Sequence, residues 1–222
     1  MIGAIILVNL LFPLHPIGRY ILYPFSFLAT WVHEMGHVLA TIIVGGTVRE
    51  VQLQANLSGK AKSKRPDTIV AGFISPTFGL LGPAVIGSLI ISWSASPFLE
   101  RTIWVTIGGM LVATSVTWVR NTFGFLMCIS MGGLFLWAST AAGSYFTFWS
   151  LQAIGIRFGA ESIGDIRYMF SQYSDSGQPS DTQIMASKVG LTYWFWGIVL
   201  GAMSISMFGY SLYSTWAPLF AG

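Results

Sequence analysis

Of the 222 residues, 54% are hydrophobic and 9% are charged, and mean hydropathy is +0.68. A soluble domain carries about 25% charged residues, so this chain lacks the polar groups to cover a water-facing surface and is expected to lie in lipid. The net charge of +3 does not argue for nucleic acid as a partner, because the cations gather in one loop beside an apolar run, which is how membrane topology is written.

In a bilayer only helices and closed barrels satisfy the backbone. The apolar runs here are long and continuous, which selects helices. Residues 2–12 form a short first run without a charged region and small-residue cleavage site, so it is expected to be retained. Pro13 and Pro16 interrupt the chain just after it. Residues 21–44 are long enough to cross with some tilt, and Gly45-Gly46 ends them. Val48, Val51 and Leu53 then stand among Arg49, Glu50, Gln52 and Gln54, a partial alternation that predicts a short strand. Residues 56–59 predict a turn into a second strand, followed by Lys60, Lys62, Lys64 and Arg65. Residues 69–93 predict the next span, broken by Pro76 and Pro83. Spans at 102–119, 122–137 and 141–156 come next, then a polar stretch at 157–188. A last span at 191–220 carries aromatic residues near both ends, as an interfacial belt does. The expected fold is an all-α polytopic membrane protein of six or seven transmembrane helices, one domain over residues 1–222, with a short β-hairpin-like loop after the second span. Cys128, the one cysteine, reads as a small buried apolar residue.

Counting cations orients the chain. If residues 21–44 run from outside to inside, Arg19 and Arg101 fall on one side and the other nine of the 11 Lys and Arg on the opposite side. That asymmetry places the basic hairpin and the 157–188 stretch in the cytoplasm.

The chemistry sits in His33-Glu34-Met35-Gly36-His37. Histidines at i and i+4 share a helical face and can both present a ring nitrogen to one metal. Glu34, directly after the first histidine, is placed to take a proton from metal-activated water and return it to a leaving amine. An ionisable group inside an apolar span is costly and functional by default. Gly36 thins the helix where a partner or substrate backbone must approach.

This motif within a span resembles the site-2 protease family of intramembrane zinc metallopeptidases, in particular its compact bacterial branch without PDZ or CBS domains. The stretches Gly45-Gly46-Thr47-Val48, Ala71-Gly72-Phe73-Ile74-Ser75-Pro76, Val119-Arg120-Asn121-Thr122-Phe123-Gly124, Gly164-Asp165-Ile166-Arg167 and Ser180-Asp181 fit that branch. The resemblance implies a Zn2+ cofactor, cleavage of a membrane-protein or peptide substrate in or beside the bilayer, a possible membrane-protein partner, and a bacterial plasma membrane with the active site toward the cytoplasm. The chain departs from better-known relatives in having no Asn-Pro-x-Asp-Gly or Leu-Asp-Gly, the motif that carries their third ligand.

A catalytic zinc takes three protein ligands and an open position, so a carboxylate is expected to join His33 and His37. Glu100 lies on the opposite side by the charge count. Glu50 and Asp67 read as solvated charges, and His15 as an interfacial residue. Among Glu161, Asp165, Asp175 and Asp181, Asp175 sits in a turn composition. Ser180-x-x-Gln183 is a capping box that accounts for Asp181 locally. Asp165 has no such local explanation and is the expected third ligand, with Asp181 the alternative. Arg120 and Asn121 read as a charged stop followed by a helix cap. Two other classes compete: a non-catalytic membrane scaffold or subunit that retains the fold, and a transporter with an intramembrane metal path. A transporter would be expected to carry acidic or histidine pairs in several spans, and only one span has them.

Overall fold

The structure is a computed structural model that describes residues 15–174 and 177–220. The expected first span at 2–12, Pro13 and Asp175 lie outside the described residues. Helix α1, Pro16–Ile43, begins earlier than hydropathy suggests. Pro16 does not interrupt it but occupies the first turn, where its missing N–H is no loss. His15 Nδ1 caps that end by accepting from the Ile17 N–H at 3.3 Å. Two antiparallel strands come next, β1 Thr47–Leu53 and β2 Gly59–Lys64. Val51 and Leu53 are fully buried on the face toward α1, while Lys60, Lys62 and Lys64 are exposed on the other.

Helix α2 spans Ile69–Trp93, with the Thr68 hydroxyl accepting from the Ala71 N–H at 3.2 Å. The sequence expectation that Pro76 and Pro83 break this segment is corrected: both lie within one continuous helix. The helix is packed mainly by α1 and by the later helices within 144–164, 181–189 and 193–220, and in such surroundings neighbours hold the geometry that a proline weakens. Helices α3 Pro97–Thr117 and α4 Thr122–Ala141 pack as a pair. Helix α5, Ser144–Gly164, runs beyond the expected boundary at 156. Arg157 therefore lies in the helix body rather than in a polar loop. It is 8% exposed, donates to Ser26 Oγ at 2.9 Å and pairs with Glu161 one turn on. A single turn, α6 Ile166–Met169, leads to the short α7, Asp181–Val189, and then to the long α8, Tyr193–Phe220.

Six helices of at least 20 residues are present among the described residues. Three of them, α2, α4 and α8, are long and apolar enough to cross a membrane. The core is in two parts. One gathers Phe27, Leu28, Trp31, Val51, Leu53 and Phe158 around α1, the hairpin and α5, and includes Cys128. The other gathers Leu80, Leu81, Met169, Met185 and Leu200 around α2 and α8. A helix of nine residues is too short to persist alone in water. Met185, fully buried in this second core, and the Thr182 hydroxyl, which donates to Met169 O at 2.8 Å, hold α7 in place.

Candidate metal centre

Helix α1 presents two working faces. Tyr23, Thr30, Glu34 and Thr41 share one of them, at 100° per residue. Three of these fasten the hairpin: Tyr23 Oη donates to Ala55 O at 2.7 Å, Thr30 Oγ1 to Leu57 O at 3.0 Å, and Thr41 Oγ1 to Ser63 Oγ at 3.2 Å. The strand so fastened passes Glu34, whose carboxylate lies where a Cβ on Gly59 would fall and toward which the Ala61 amide is turned. Glu34 is 5% exposed. Glycine at 59 is thus required by the close approach of a functional side chain.

The adjacent face carries His33 and His37 toward α2. A Cβ on Gly36 would collide with the Phe78 carbonyl, and one on Gly79 would come within 2.6 Å of the His37 ring. The backbone that approaches Gly36 in the structure is the chain's own α2. Ser75, also on α2 and 1% exposed, places Oγ 3.1 Å from His37 Nδ1. A hydrogen bond on that nitrogen leaves Nε2 to face the site.

Asp181, and not Asp165, meets the two rings. Its Oδ2 is 3.4 Å from His33 Nε2 and 3.4 Å from His37 Nε2, and the two Nε2 atoms are 3.1 Å apart. The structure thus brings the alternative, Asp181, to the histidines in place of the preferred Asp165, and the reason is local. Ser180 is the N-cap of α7, accepting from the Gln183 N–H at 3.2 Å, so Asp181 at the next position directs its carboxylate sideways. Tyr168 holds it in place: the Asp181 N–H donates to Tyr168 Oη at 3.2 Å, and Tyr168 Oη lies 3.5 Å from Asp181 Oδ2. Asp165 is the C-cap of α5 and lines the same cavity without joining the trio.

The cavity holds about 990 Å³ and is bounded by α1, the hairpin, the end of α5, and residues 164–184. Burial pushes the Asp165 carboxyl up to about 6, against the pull of His33 and with the repulsion of Glu161 and Asp181. Burial acts on Asp181 too, but the charges of His37 and His33 and their hydrogen bonds outweigh it and hold that carboxyl below its ordinary range. The Tyr168 phenol is raised, chiefly by burial and then by the Asp181 charge.

Three atoms 3.1–3.4 Å apart match a tetrahedral zinc, whose bonds of roughly 2.0–2.1 Å set ligand atoms about 3.3–3.4 Å from one another. Two nitrogens and a carboxylate oxygen are also a donor set that zinc accepts. A family model described as Peptidase M50B-like matches residues 2–211. The chain belongs to this family, the site-2 proteases. No curated protein and no solved structure matches it. Membership agrees with a metallopeptidase-type centre in a membrane-embedded helical chain.

Several features of this member of the family are not legible as function from the residues alone. Tyr168 and Ser75 hold Asp181 and His37 from other helices, and no local pattern marks them. The Asn121 side chain does not cap α4 as expected. Its amide accepts from Leu53 N at 2.9 Å and donates to Leu53 O at 2.7 Å, sealing one edge of β1. Arg120 instead donates to the last carbonyls of α3, including Val116 O at 3.1 Å. Glu161 is occupied by Arg157, Glu50 by Lys62 at 2.6 Å, and Asp67 by Lys188.

Proposed function

We propose that this chain is a zinc-dependent endopeptidase that hydrolyses a peptide bond in or next to a membrane span. The observation that carries the reading is the trio of His33, His37 and Asp181 with Glu34 beside it on the same helix as the histidines. Zinc bound by that trio would supply Lewis-acid chemistry, polarising a carbonyl and making water acidic enough to be a nucleophile at neutral pH. Glu34 is the general base that removes the proton of the attacking water and delivers it to the departing amine. Ser75 orients His37, and Tyr168 orients Asp181. An unwound substrate segment pairs with the hairpin as an added strand, which supplies backbone hydrogen bonds where a peptide has left its own helix.

Six or seven spans, with the hairpin and the cavity mouth on the cytoplasmic side of a bacterial plasma membrane, fit the cation asymmetry. Cysteines introduced near Lys62 and near Ser96 should then be labelled from opposite sides. The deciding experiment for the chemistry pairs metal content with cleavage. Wild type should hold about one zinc per chain, and Glu34→Gln should keep the metal while losing proteolysis of a membrane-anchored reporter. Zinc-loaded wild type and Glu34→Gln that behave alike would favour the non-catalytic scaffold.

A further inference from the structure

The free edge of the hairpin has a definite phase. Val51 donates its N–H to Trp118 O at 2.8 Å and accepts at its carbonyl from the Arg120 N–H at 3.1 Å. Both of its backbone groups thus point away from β2, and Val51–Ala61 is a non-hydrogen-bonded antiparallel pair. Ala61 must then turn its own N–H and C=O to the outer edge of β2, with Gly59 and Ser63 in the same phase. Among the described residues, no backbone group pairs with that edge; the Glu34 side chain, toward which the Ala61 amide is turned, is what meets it beside the cavity.

The other three strand positions carry Lys60, Lys62 and Lys64, all exposed on one face at a two-residue repeat, about 6.6–6.8 Å. Of these three, only Lys62 has an acidic partner among the described residues, Glu50. Lys60 and Arg65 line both the catalytic cavity and an adjoining hollow that continues to Lys62, Lys64 and Arg49. A backbone edge without a strand partner and unneutralised charge therefore run together out of the site.

We propose that β2 selects substrate strands with acidic side chains at every second position. The inference rests on the proteolytic reading above and names its substrate class. A strand added to this edge alternates its side chains with the same period as β2. One set then stands beside Lys60, Lys62 and Lys64, where opposite charges on neighbouring strands attract, and the other set faces Glu34 and the cavity. An anionic headgroup layer would also meet lysines, but it has no two-residue period and makes no use of an unpaired backbone edge that leads into the cavity.

The test uses the full chain as Glu34→Gln in detergent micelles, so that binding is read without cleavage. The probes are fluorescent peptides with an apolar anchor followed by Thr-Glu-Val-Glu-Val-Glu, the same peptide with Gln for Glu, and an isomer with the three Glu contiguous. The alternating peptide should bind at least tenfold more tightly than the Gln peptide, and the contiguous isomer should lose most of that gain. Lys60→Gln with Lys64→Gln should erase the difference between the Glu and Gln peptides. Equal affinity for the Glu and Gln peptides, or an equal gain from the contiguous isomer, overturns the proposal. So does a preference that vanishes in nanodiscs containing phosphatidylglycerol but persists in phosphatidylcholine, since the lysines would then be headgroup ligands. Cleavage of the Gln peptide by wild type tests the protease reading separately.

Discussion

Gly79 faces the edge of the His37 imidazole with no room for a side chain: a Cβ there would stand 2.6 Å from Nε2, the nitrogen that faces His33 and Asp181. The contact joins two helices at an atom that faces the candidate metal centre. Because this partly buried imidazole cannot shift without leaving its Ser75 partner, the cost of a methyl falls on the candidate metal centre.

Gly79→Ala should therefore lower zinc affinity by at least tenfold, about 1.4 kcal/mol, while the protein stays helical. Chelator competition followed with a zinc-sensitive dye would measure it. Gly109→Ala is the control, because a Cβ at Gly109 meets nothing within 4 Å. Retained zinc affinity in Gly79→Ala would mean that α1 and α2 can part without disturbing His37.

The two residues at the start of α7 should separate by phenotype. Ser180→Ala removes a cap and should cost on the order of 1 kcal/mol of stability, with zinc still bound. Asp181→Ala removes the carboxylate between the two rings and should abolish stoichiometric zinc, with circular dichroism largely unchanged. Asp165→Ala should retain the metal. Zinc lost in Asp165→Ala and kept in Asp181→Ala would reverse the assignment.

Such a reversal would agree with the expectation drawn from the residues, which differs from the structure for a physical reason. The motif helix, the hairpin and both bounds of α2 follow from hydropathy, alternation and turn chemistry, which are local. So does the mutual placement of His33, Glu34 and His37, since their spacing on one helix fixes it. The third carboxylate depends on how α7 docks, Met185 against α2 and Thr182 against the end of α6, and no local pattern encodes that docking. A satisfactory cap at Ser180 does not account for its neighbour, because a capping side chain leaves the following residue free to point elsewhere. Pro76 and Pro83 are ambiguous in a similar way, because their effect on α2 is decided by the helices packed around it. Asn121 reads as a cap and works as a surrogate strand because Leu53, far away in the chain, stops opposite it.

Tyr168 should act through Asp181. Tyr168→Phe removes the hydroxyl that accepts from the Asp181 N–H and lies beside its carboxylate, and leaves the ring. Outer-shell partners of this kind typically contribute about 10–100-fold to metal affinity, so zinc should bind more weakly by that factor with thermal stability little changed. Activity restored by excess zinc would separate this positioning role from a direct one. A loss of turnover with unchanged zinc affinity would instead place the phenol at the substrate.

Asp165 gives the centre a pH dependence of its own. Its carboxyl is raised from the ordinary 3.8 to about 6, first by burial and then by Glu161 and Asp181, against the attraction of His33. A raised carboxyl means that the fold favours the neutral form, so this group's contribution to stability is complete below about pH 4 and is lost as pH rises through about 6. Cavity water reduces the effect, leaving on the order of 1–2 kcal/mol. Asp181 is shifted the other way and should lose its contribution as pH falls, so the wild-type profile alone mixes two signs. The difference between wild type and Asp165→Asn, both metal-free, isolates the first. The variant should match wild type near pH 4 and melt at a higher temperature at about pH 7.5, with the gap opening between those values. A gap that is constant across the range would show that Asp165 is not the titrating group, and one that widens toward acid would give its carboxyl the opposite shift.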